Sequence, residues 1–439
     1  PKDTKLYKVM TTKPEEVSTR EQSSGRITMK DVWAEAQFNL TQAAEAMGLE
    51  PEVLERLKTP MRFTEFTIPV RMDDGTKRIF TAYRSWHQDA TGPTKDGTRV
   101  RPDLTPEEIK ALSLFMSIKH AAAGIPAGGG KGGIKADPLT LSEGEYERLI
   151  RGFVRRLRPK GAYVDVPGAD IGTGKQAMAW MLDEYEQVTG IHSPAAINDK
   201  PMELGGSLGG FEATGWGVAT CAMEAAQEEN LDPSKTRVVI QGFGQVGSIT
   251  ALTLFNAGYR IIAVSDIDGA VMDDKGLNIP ALMEHVSQKT FVTGFPGAKP
   301  ADKSTILETE CEILIPAAVQ DVITEGNASR LKTKILVEAA NAPTTPEADK
   351  ILLARGIRII PDVVANSGGA IVCDFERTQG LSNDYWALEK VEQRLKERIT
   401  KAYREAREKA EEKNVSMRLG AWINALSKIR AAMLLRGWC

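Results

Sequence analysis

Cysteine and histidine are scarce in this chain. The cysteines form no CxxC pair and lie far apart, at Cys221, Cys311, Cys373 and Cys439. This spacing argues against a disulfide framework or a zinc site and favours a reducing compartment, so we expect a cytoplasmic location. The histidines show no metal-ligand spacing and are limited to His87, His120, His192 and His285. We therefore expect no metal site.

Long apolar runs and a strong charge of one sign are also missing. No segment approaches the roughly 18–20 apolar residues of a membrane-spanning helix, and the polar start PKDTKLYKVM is not typical of a secretory signal. Because the chain begins at Pro1, removal of a methionine or of a longer presequence stays open. The net charge of −3 provides no electrostatic reason to expect a nucleic acid or an anionic membrane as partner.

The chain has the length and apolar content for two or three globular domains, with 439 residues of which 42% are apolar. Residues 28–58 follow a helical pattern, and two strands flank a turn at residues 73–75. Past about residue 200, helical segments alternate with the short β-branched runs TRVVIQ, YRIIAVSD, EILIPAA, KILVEAA and IRIIPDVVA. This alternation predicts a parallel sheet wound with helices, and hence an α/β fold.

Helix starts and ends are also readable. Thr105 with Glu108, and Ser142 with Glu145, each predict a capping box at the start of a helix. From residue 384 onward, a long charged helix precedes a second helix that ends near residue 436. The charge runs there indicate a solvated helix face.

A glycine-rich run surrounds a single lysine, Lys131, in the segment AGGGKGG. A phosphate-binding P-loop is excluded, because Ile125 and Gly132 occupy the positions where that motif needs a glycine and a Ser or Thr. Glycines permit unusual backbone conformations and close approach to a ligand. The run therefore predicts either a flexible loop or a cradle around the charged group of Lys131.

A GxGxxG motif follows a predicted strand and opens a predicted helix. It spans residues 242–247 and comprises Gly242, Phe243, Gly244, Gln245, Val246 and Gly247. These glycines allow a pyrophosphate to sit on the helix N-terminus, whose free N–H groups favour anions. Asp266 ends the next predicted strand. A carboxylate at this position accepts a hydrogen bond from a ribose 2′-hydroxyl and repels a 2′-phosphate. The pattern favours NAD, and NADP stays open because Asp268 follows closely.

Two lysines and two acids are candidates for acid–base chemistry. Lys119 falls on the apolar face of the helix that Thr105 opens, where its stem could simply snorkel to water. If Lys119 instead converges with Lys131 in a desolvated pocket, repulsion lowers an amine pKa and produces a neutral base. The turn DVPGADIGTG offers Asp165 and Asp170 as carboxylates, although either could only cap the following helix.

Seven motifs occur in the order of a known family: GPTKDG, SIKHAAAGIPAGGGKGG, DVPGADIGTG, KPMELGGSLGGFEATGWG, QGFGQVG, EAANAPTTPEAD and PDVVANSGGAIV. On these motifs the chain resembles the glutamate/leucine/phenylalanine/valine dehydrogenases, and most closely their glutamate branch. The resemblance implies an N-terminal α/β substrate domain, a Rossmann-type dinucleotide-binding domain and C-terminal helices that return to the first domain. The expected boundaries are residues 1–200 with 372–439 for substrate binding and oligomerisation, and 201–371 for the dinucleotide.

The resemblance also implies an activity and an assembly. The activity is reversible oxidative deamination of an L-amino acid, with hydride transfer to NAD or NADP. L-Glutamate, converted to 2-oxoglutarate and ammonia, is the first expectation. A dehydrogenase of different side-chain specificity and a catalytically weak regulatory subunit are the alternatives. The family is usually hexameric, so a homohexamer with a cleft that closes on substrate is expected.

Matching positions imply residue roles. Lys131 would be the catalytic lysine and Asp170 the acid that exchanges protons with the substrate nitrogen. Lys119 would bind the substrate α-carboxylate, and Lys95 the side-chain carboxylate, with Cys373 at the position of a serine that assists it. Cofactor binding would also involve Thr214, and Asn341 and Asn366 would lie by the nicotinamide and its ribose, where Asn366 also borders the substrate.

The sequence departs from the glutamate pattern around the side-chain pocket. Asp96 stands where the family has glycine, Asn198 replaces a threonine, and Gly210 occupies a position that often holds arginine. Cys373 replaces the serine, and Asp374 adds a negative charge beside it. A hydrogen bond to a charged group contributes roughly 1.5–3 kcal/mol, so these changes are expected to weaken glutamate binding.

Overall fold

A computed structural model describes residues 32–158 and 160–439. The described chain divides into two compact units. The first, here called the lysine unit, contains residues 32–213 and 367–439, and the second, the glycine-motif unit, contains residues 214–366. The sequence placed these boundaries after residues 200 and 371, which differ from the observed division by a connecting loop and by part of a helix.

The lysine unit is built on a five-stranded mixed sheet in the order β1-β2-β4-β3-β5. Its strands are β1 (Arg62–Arg71), β2 (Lys77–Gln88), β3 (Thr94–Val100), β4 (Gly128–Lys135) and β5 (Asp165–Ala169). The helices before and between them are α1 (Val32–Met47), α2 (Pro51–Leu57), α3 (Pro106–Ala122), α4 (Glu143–Leu157) and α5 (Lys175–Thr189). Strands β3, β4 and β5 run parallel, whereas β1 and β2 form the predicted antiparallel hairpin.

Local signals in this unit behave largely as predicted. Ser142 and Glu145 form the reciprocal capping box of α4, with Ser142 N–H donating to the Glu145 carboxylate at 3.0 Å. Thr105 accepts the N–H of Glu108 at 3.2 Å and so caps α3. The predicted hydrogen bond from the Thr105 N–H to the Glu108 side chain is wrong, because the Glu108 carboxylate pairs with Arg99 and Arg101 instead.

The glycine-rich run is a central strand, β4, and the expectation of a loop is wrong. Close packing explains its composition. A Cβ on Gly129 would lie 2.1 Å from the carbonyl oxygen of Ser113 in α3, and one on Gly128 would lie 1.8 Å from that of Gln88. Both distances are too short for any side chain. The glycines therefore let helix α3 and strand β2 lie directly against the strand that carries Lys131.

The glycine-motif unit has a seven-stranded sheet in the order β12-β11-β10-β6-β7-β8-β9. Its strands are β6 (Arg237–Gln241), β7 (Arg260–Ser265), β8 (Ala270–Met272), β9 (Lys299–Ala301), β10 (Ile313–Pro316), β11 (Ile335–Val337) and β12 (Arg358–Ile360). Its helices are α6 (Ala213–Glu228), whose first residue belongs to the lysine unit, α7 (Gln245–Asn256), α8 (Ile279–Lys289), α9 (Glu325–Ala328), α10 (Pro346–Ala354) and α11 (Asp362–Ala365).

The five β-branched runs are confirmed as parallel strands, with β6 at the middle of the sheet. The antiparallel extension by β8 and β9 was not predicted. Each of these two strands has only three residues, and β9 includes Pro300, so neither produces a periodic signal. The predicted α/β fold class is confirmed.

Three further helices complete the lysine unit: α12 (Gly368–Ser382), α13 (Leu388–Lys413) and α14 (Met417–Leu435). The last two are the predicted charged helix and its successor. Helix α13 buries one face, including Leu395, Ile399 and Tyr403, which confirms that its charges lie on the opposite, solvated face. Within the described ranges, no helix has the length and apolar character needed to cross a membrane.

Candidate active site

Lys131 lies at the centre of a buried charge cluster. Its side chain on β4 is only 6% exposed, and its Nζ lies 2.6 Å from Oδ2 of Asp170 and 2.6 Å from Oδ2 of Asp96. Asp96 belongs to β3, and Asp170 directly follows β5. Since β3 lies between β4 and β5 and pairs in parallel with both, the sheet brings the three groups together.

The surroundings of Lys131 favour its charged form. Burial lowers the pKa of the amine, but the charges of Asp96 and Asp170 oppose burial and leave the pKa raised above its usual value. The expectation of a neutral amine, produced by a neighbouring lysine, is therefore wrong. Lys119 lies half-buried on α3, and the charges that raise the pKa of Lys131 are those of Asp96 and Asp170.

Arg99 orients Asp170. The guanidinium donates to both carboxylate oxygens of Asp170 at 3.3 Å and to Glu108 at 2.7 Å. Burial raises the pKa of Asp170, while Lys131 and Arg99 lower it to a greater extent, so Asp170 is held ionised. Sequence reasoning missed Arg99, which lies in the unremarkable segment TRVRP.

The second acid of the turn has a different partner. Asp165 is fully buried and accepts from Arg84 at 2.9 Å and from the Thr94 hydroxyl at 2.9 Å. It forms part of the internal packing of the sheet. Of the two predicted carboxylates, Asp170 is thus the one that contacts Lys131.

Lys95 is a second buried cation, only 2% exposed. Within the described part of the chain, its ammonium makes no recorded hydrogen bond or ion pair. Burial raises the pKa of Asp374, and the charges of Arg377 and Lys95 lower it by more; the charge of Lys95 also acts on Cys373 and His120, so these groups lie near its ammonium. An unpaired buried ammonium is costly, which makes Lys95 suited to bind a ligand carboxylate.

Cys373 is engaged by another acid. Its Sγ donates to Oδ1 of Asp199 at 2.9 Å, while Asn198 donates to the Cys373 carbonyl at 2.6 Å. Burial, and next the charge of Asp199, raise the pKa of the thiol well above its usual value, so the group stays protonated. The charge of Asp374 is balanced by Arg377 at 3.1 Å and Arg398 at 3.0 Å.

The GxGxxG segment forms a turn between β6 and α7. Gly242 adopts a φ of +97°, and a Cβ on Gly247 would lie 1.8 Å from the Gly242 carbonyl oxygen. Gly244 is the N-cap of α7 and provides no capping side chain, and open space surrounds its Cα. The first amides of α7 are thus open to an anion, which fits the pyrophosphate of a dinucleotide.

Asp266 directly follows β7 and is held in place by backbone donors. Its carboxylate accepts the N–H groups of Asp268 at 2.9 Å, Gly269 at 3.0 Å and Val292 at 2.7 Å. A carboxylate offers about four acceptor positions, so one remains for a ribose hydroxyl. Asp268 is more exposed and accepts from the Thr293 hydroxyl.

The two predicted asparagines contact each other in this unit. Nδ2 of Asn366 donates to Oδ1 of Asn341 at 2.9 Å and to the Ala339 carbonyl at 3.2 Å. Its own Oδ1 is buried with no hydrogen-bond partner in the described chain, so it is free to accept from a ligand amide. Thr214 lies at the start of α6, and the following residue, Gly215, packs against α7.

Family models match most of this chain. Residues 205–437 match the family model Glutamate/Leucine/Phenylalanine/Valine dehydrogenase, and residues 60–187 match Glu/Leu/Phe/Val dehydrogenase, dimerisation domain. The chain belongs to the Glu/Leu/Phe/Val dehydrogenase family. It is 43% identical to the NAD-specific glutamate dehydrogenase of Clostridioides difficile over 414 residues, which are 93% of this chain and 98% of that protein.

Other members of the Glu/Leu/Phe/Val dehydrogenase family are similar in sequence and structure. The cryptic catabolic NAD-specific glutamate dehydrogenase GudB of Bacillus subtilis is 43% identical over 93% of this chain and 96% of its own length. The crystal structure of glutamate dehydrogenase from Peptoniphilus asaccharolyticus has a TM-score of 0.86 at 37% identity, covering 93% of this chain and all of that one. Hetero-hexameric glutamate dehydrogenase from Thermus thermophilus, in its Leu-bound form, has a TM-score of 0.85 at 33% identity, covering 94% and 99%.

Proposed function

We propose that this chain catalyses the reversible, NAD-dependent oxidative deamination of L-glutamate to 2-oxoglutarate and ammonia. The observation that carries this proposal is the pairing of buried Lys131 with Asp170, beside a separate buried ammonium, Lys95, that has no ion-pair partner in the described chain. The relatives named NAD-specific glutamate dehydrogenases support it.

Lys95 supports glutamate as the substrate. A γ-carboxylate would satisfy the buried ammonium, whereas an apolar side chain would leave it unpaired. The predicted weakening by Asp374 is reduced, because Arg377 and Arg398 already neutralise that acid. In our proposal Lys119 binds the α-carboxylate, so two lysines orient the substrate by its two carboxylates.

Asp170 and Lys131 would handle the protons. NAD held by the glycine-motif unit would supply the hydride acceptor for the substrate Cα, and loss of that hydride would leave a cationic iminium on the amino acid. The positive charge of this iminium repels the proton of Lys131 and lowers its pKa, so Lys131 becomes a base only after hydride transfer. Lys131 then takes a proton from the water that attacks the iminium carbon, and Asp170 exchanges protons with the nitrogen that leaves as ammonia.

The glycine-motif unit would bind the cofactor. The uncapped amides of α7 suit the pyrophosphate, and the remaining acceptor position of Asp266 suits an unphosphorylated ribose, which favours NAD over NADP. Asn341 and Asn366 would contact the nicotinamide and its ribose. We also propose a homohexamer; the dimerisation domain at residues 60–187 supports self-association, and the hetero-hexameric Thermus thermophilus relative supports six subunits.

The test is turnover of the purified chain on a panel of L-amino acids with NAD and with NADP. We expect activity on glutamate with NAD, and a loss of several orders of magnitude in Lys131→Ala. Lys135→Ala changes an exposed lysine on the same strand and is the matched control, with activity retained. Turnover of other amino acids but not glutamate, or near-normal rates in Lys131→Ala, would contradict the proposal. An inactive wild-type protein would point to a regulatory subunit.

A further inference from the structure

Asp96 adopts a backbone conformation that ordinarily requires glycine. Its φ is +148°, a region in which a side chain strains the backbone. Neighbouring groups hold the backbone here, since Nη1 of the buried Arg84 donates to the Asp96 carbonyl at 3.0 Å and Asp96 pairs with Pro167 of β5. Because glycine would avoid this strain, the aspartate at position 96 indicates a specific role for its carboxylate.

That carboxylate contacts the reacting lysine. Oδ2 of Asp96 accepts from Nζ of Lys131 at 2.6 Å, the same distance that separates Nζ from Asp170. The other charged and titratable groups around the cluster are Arg84, which binds the Asp96 carbonyl, Arg99 with its partner Glu108 beside Asp170, and Lys95 and His120, which act on Asp96. One ammonium is therefore shared between two carboxylates from adjacent strands.

We propose that Asp96 is a positioning residue of the deamination, which keeps Lys131 paired while Asp170 carries a proton. The inference rests on the proposed function. When Asp170 takes a proton from the substrate nitrogen, it stops being an anionic acceptor for Lys131. Without Asp96, the buried ammonium would then lose its carboxylate partner. With Asp96, Lys131 and Asp96 remain a neutral pair, and the protonated form of Asp170 becomes accessible.

The same arrangement sets the pH range of the reaction. The negative charge of Asp96 raises the pKa of Lys131 and also raises the pKa of Asp170. Removing the charge lowers both values. Whether a limb of the rate profile reports ionised Asp170 or protonated Lys131, that limb moves to lower pH.

The experiment compares Asp96→Asn with Asp183→Asn, which removes one charge from an exposed acid on α5. We expect the pH profile of kcat/KM in Asp96→Asn to shift down by about 1–3 units, with a lower maximal kcat, and no shift in Asp183→Asn. Asp96→Gly removes the carboxylate and the backbone strain together, so it serves where the asparagine variant does not fold. A role in folding alone would lower activity without moving the profile.

A second readout is independent of turnover. The midpoint for acylation of Lys131, followed across pH by peptide mass spectrometry, should fall in Asp96→Asn and Asp96→Gly by the same shift. An unchanged midpoint overturns the inference, as does an unchanged rate profile in an active enzyme. A shifted acylation midpoint in a protein that does not turn over glutamate supports the pairing of Asp96 with Lys131 and contradicts only the proposed function.

Discussion

Arg84 and Asp165 form a buried ion pair across the sheet of the lysine unit. Nε and Nη2 of Arg84 lie 2.9 and 2.5 Å from the two carboxylate oxygens, and the two side chains are 1% and 0% exposed. Between their strands, a Cβ on Gly130 or Gly132 would come within 3.2 Å of the guanidinium. The glycines of β4 thus make room for Arg84 as well as for helix α3.

The first prediction concerns this pair. Asp165→Asn keeps the shape of the side chain but leaves the buried guanidinium without its counter-charge, so we expect the free energy of unfolding to fall by about 3–5 kcal/mol. Urea denaturation followed by circular dichroism measures the change. Asp183→Asn, at an exposed position, should change stability by no more than about 0.5 kcal/mol. Equal stability of the two variants would show that the pair contributes nothing specific.

The second prediction concerns the glycine strand. Gly129→Ala places a methyl group about 2 Å from Ser113 and Ser117 in α3, so we expect a loss of at least about 1–3 kcal/mol and a lower Tm. Gly174→Ala is the matched control, because open space surrounds that position and its backbone conformation suits any residue. An unchanged Tm in Gly129→Ala would contradict close packing of α3 on β4.

The third prediction concerns the side-chain pocket. The carboxylate of Asp199 accepts from the Cys373 thiol and from the Ala169 N–H, and in the proposed function its negative charge would oppose a substrate carboxylate bound by Lys95. Asp199→Asn removes that charge, so we expect KM for glutamate to fall roughly three- to tenfold, equivalent to about 0.7–1.4 kcal/mol, with kcat nearly unchanged. Steady-state kinetics on glutamate tests this, with Asp183→Asn as the charge control. A higher KM would mean that Asp199 aids binding.

The fourth prediction concerns acid stability. Burial lowers the pKa of His87 and of His120 to about 4, from an ordinary value near 6.5. The unfolded chain therefore binds protons that the folded protein excludes, and stability should fall as pH drops from about 6.5 to about 4, by up to about 3 kcal/mol per histidine. Urea denaturation across this range measures the slope. His87→Asn and His120→Asn should each flatten it, whereas His192→Asn, at an exposed position, should not.

Sequence reasoning succeeded where the signal is local. The turn between β6 and α7, the capping of α4 and the five parallel strands depend on backbone geometry and hydrogen bonds within a few residues. It missed Arg99, Asp199 and His120 as neighbours of the site. Arg99 and Asp199 lie outside the quoted motifs, and His120 lies within one without a role of its own there; only the fold shows that each lies near the site.

The amino-acid sequence by itself determined the α/β architecture, the family and the positions of the candidate catalytic groups, because periodicity, glycine placement and motif order are properties of the chain. Only the tertiary structure decided the charge state of Lys131. The two carboxylates that bind Lys131 are far apart in the sequence, since Asp96 belongs to β3 and Asp170 follows β5. The parallel pairing of β3 with β4 and β5 brings both within hydrogen-bonding distance of Lys131. Electrostatic energy depends on distance through space, so the residues adjacent to Lys131 in the sequence do not predict its charge state.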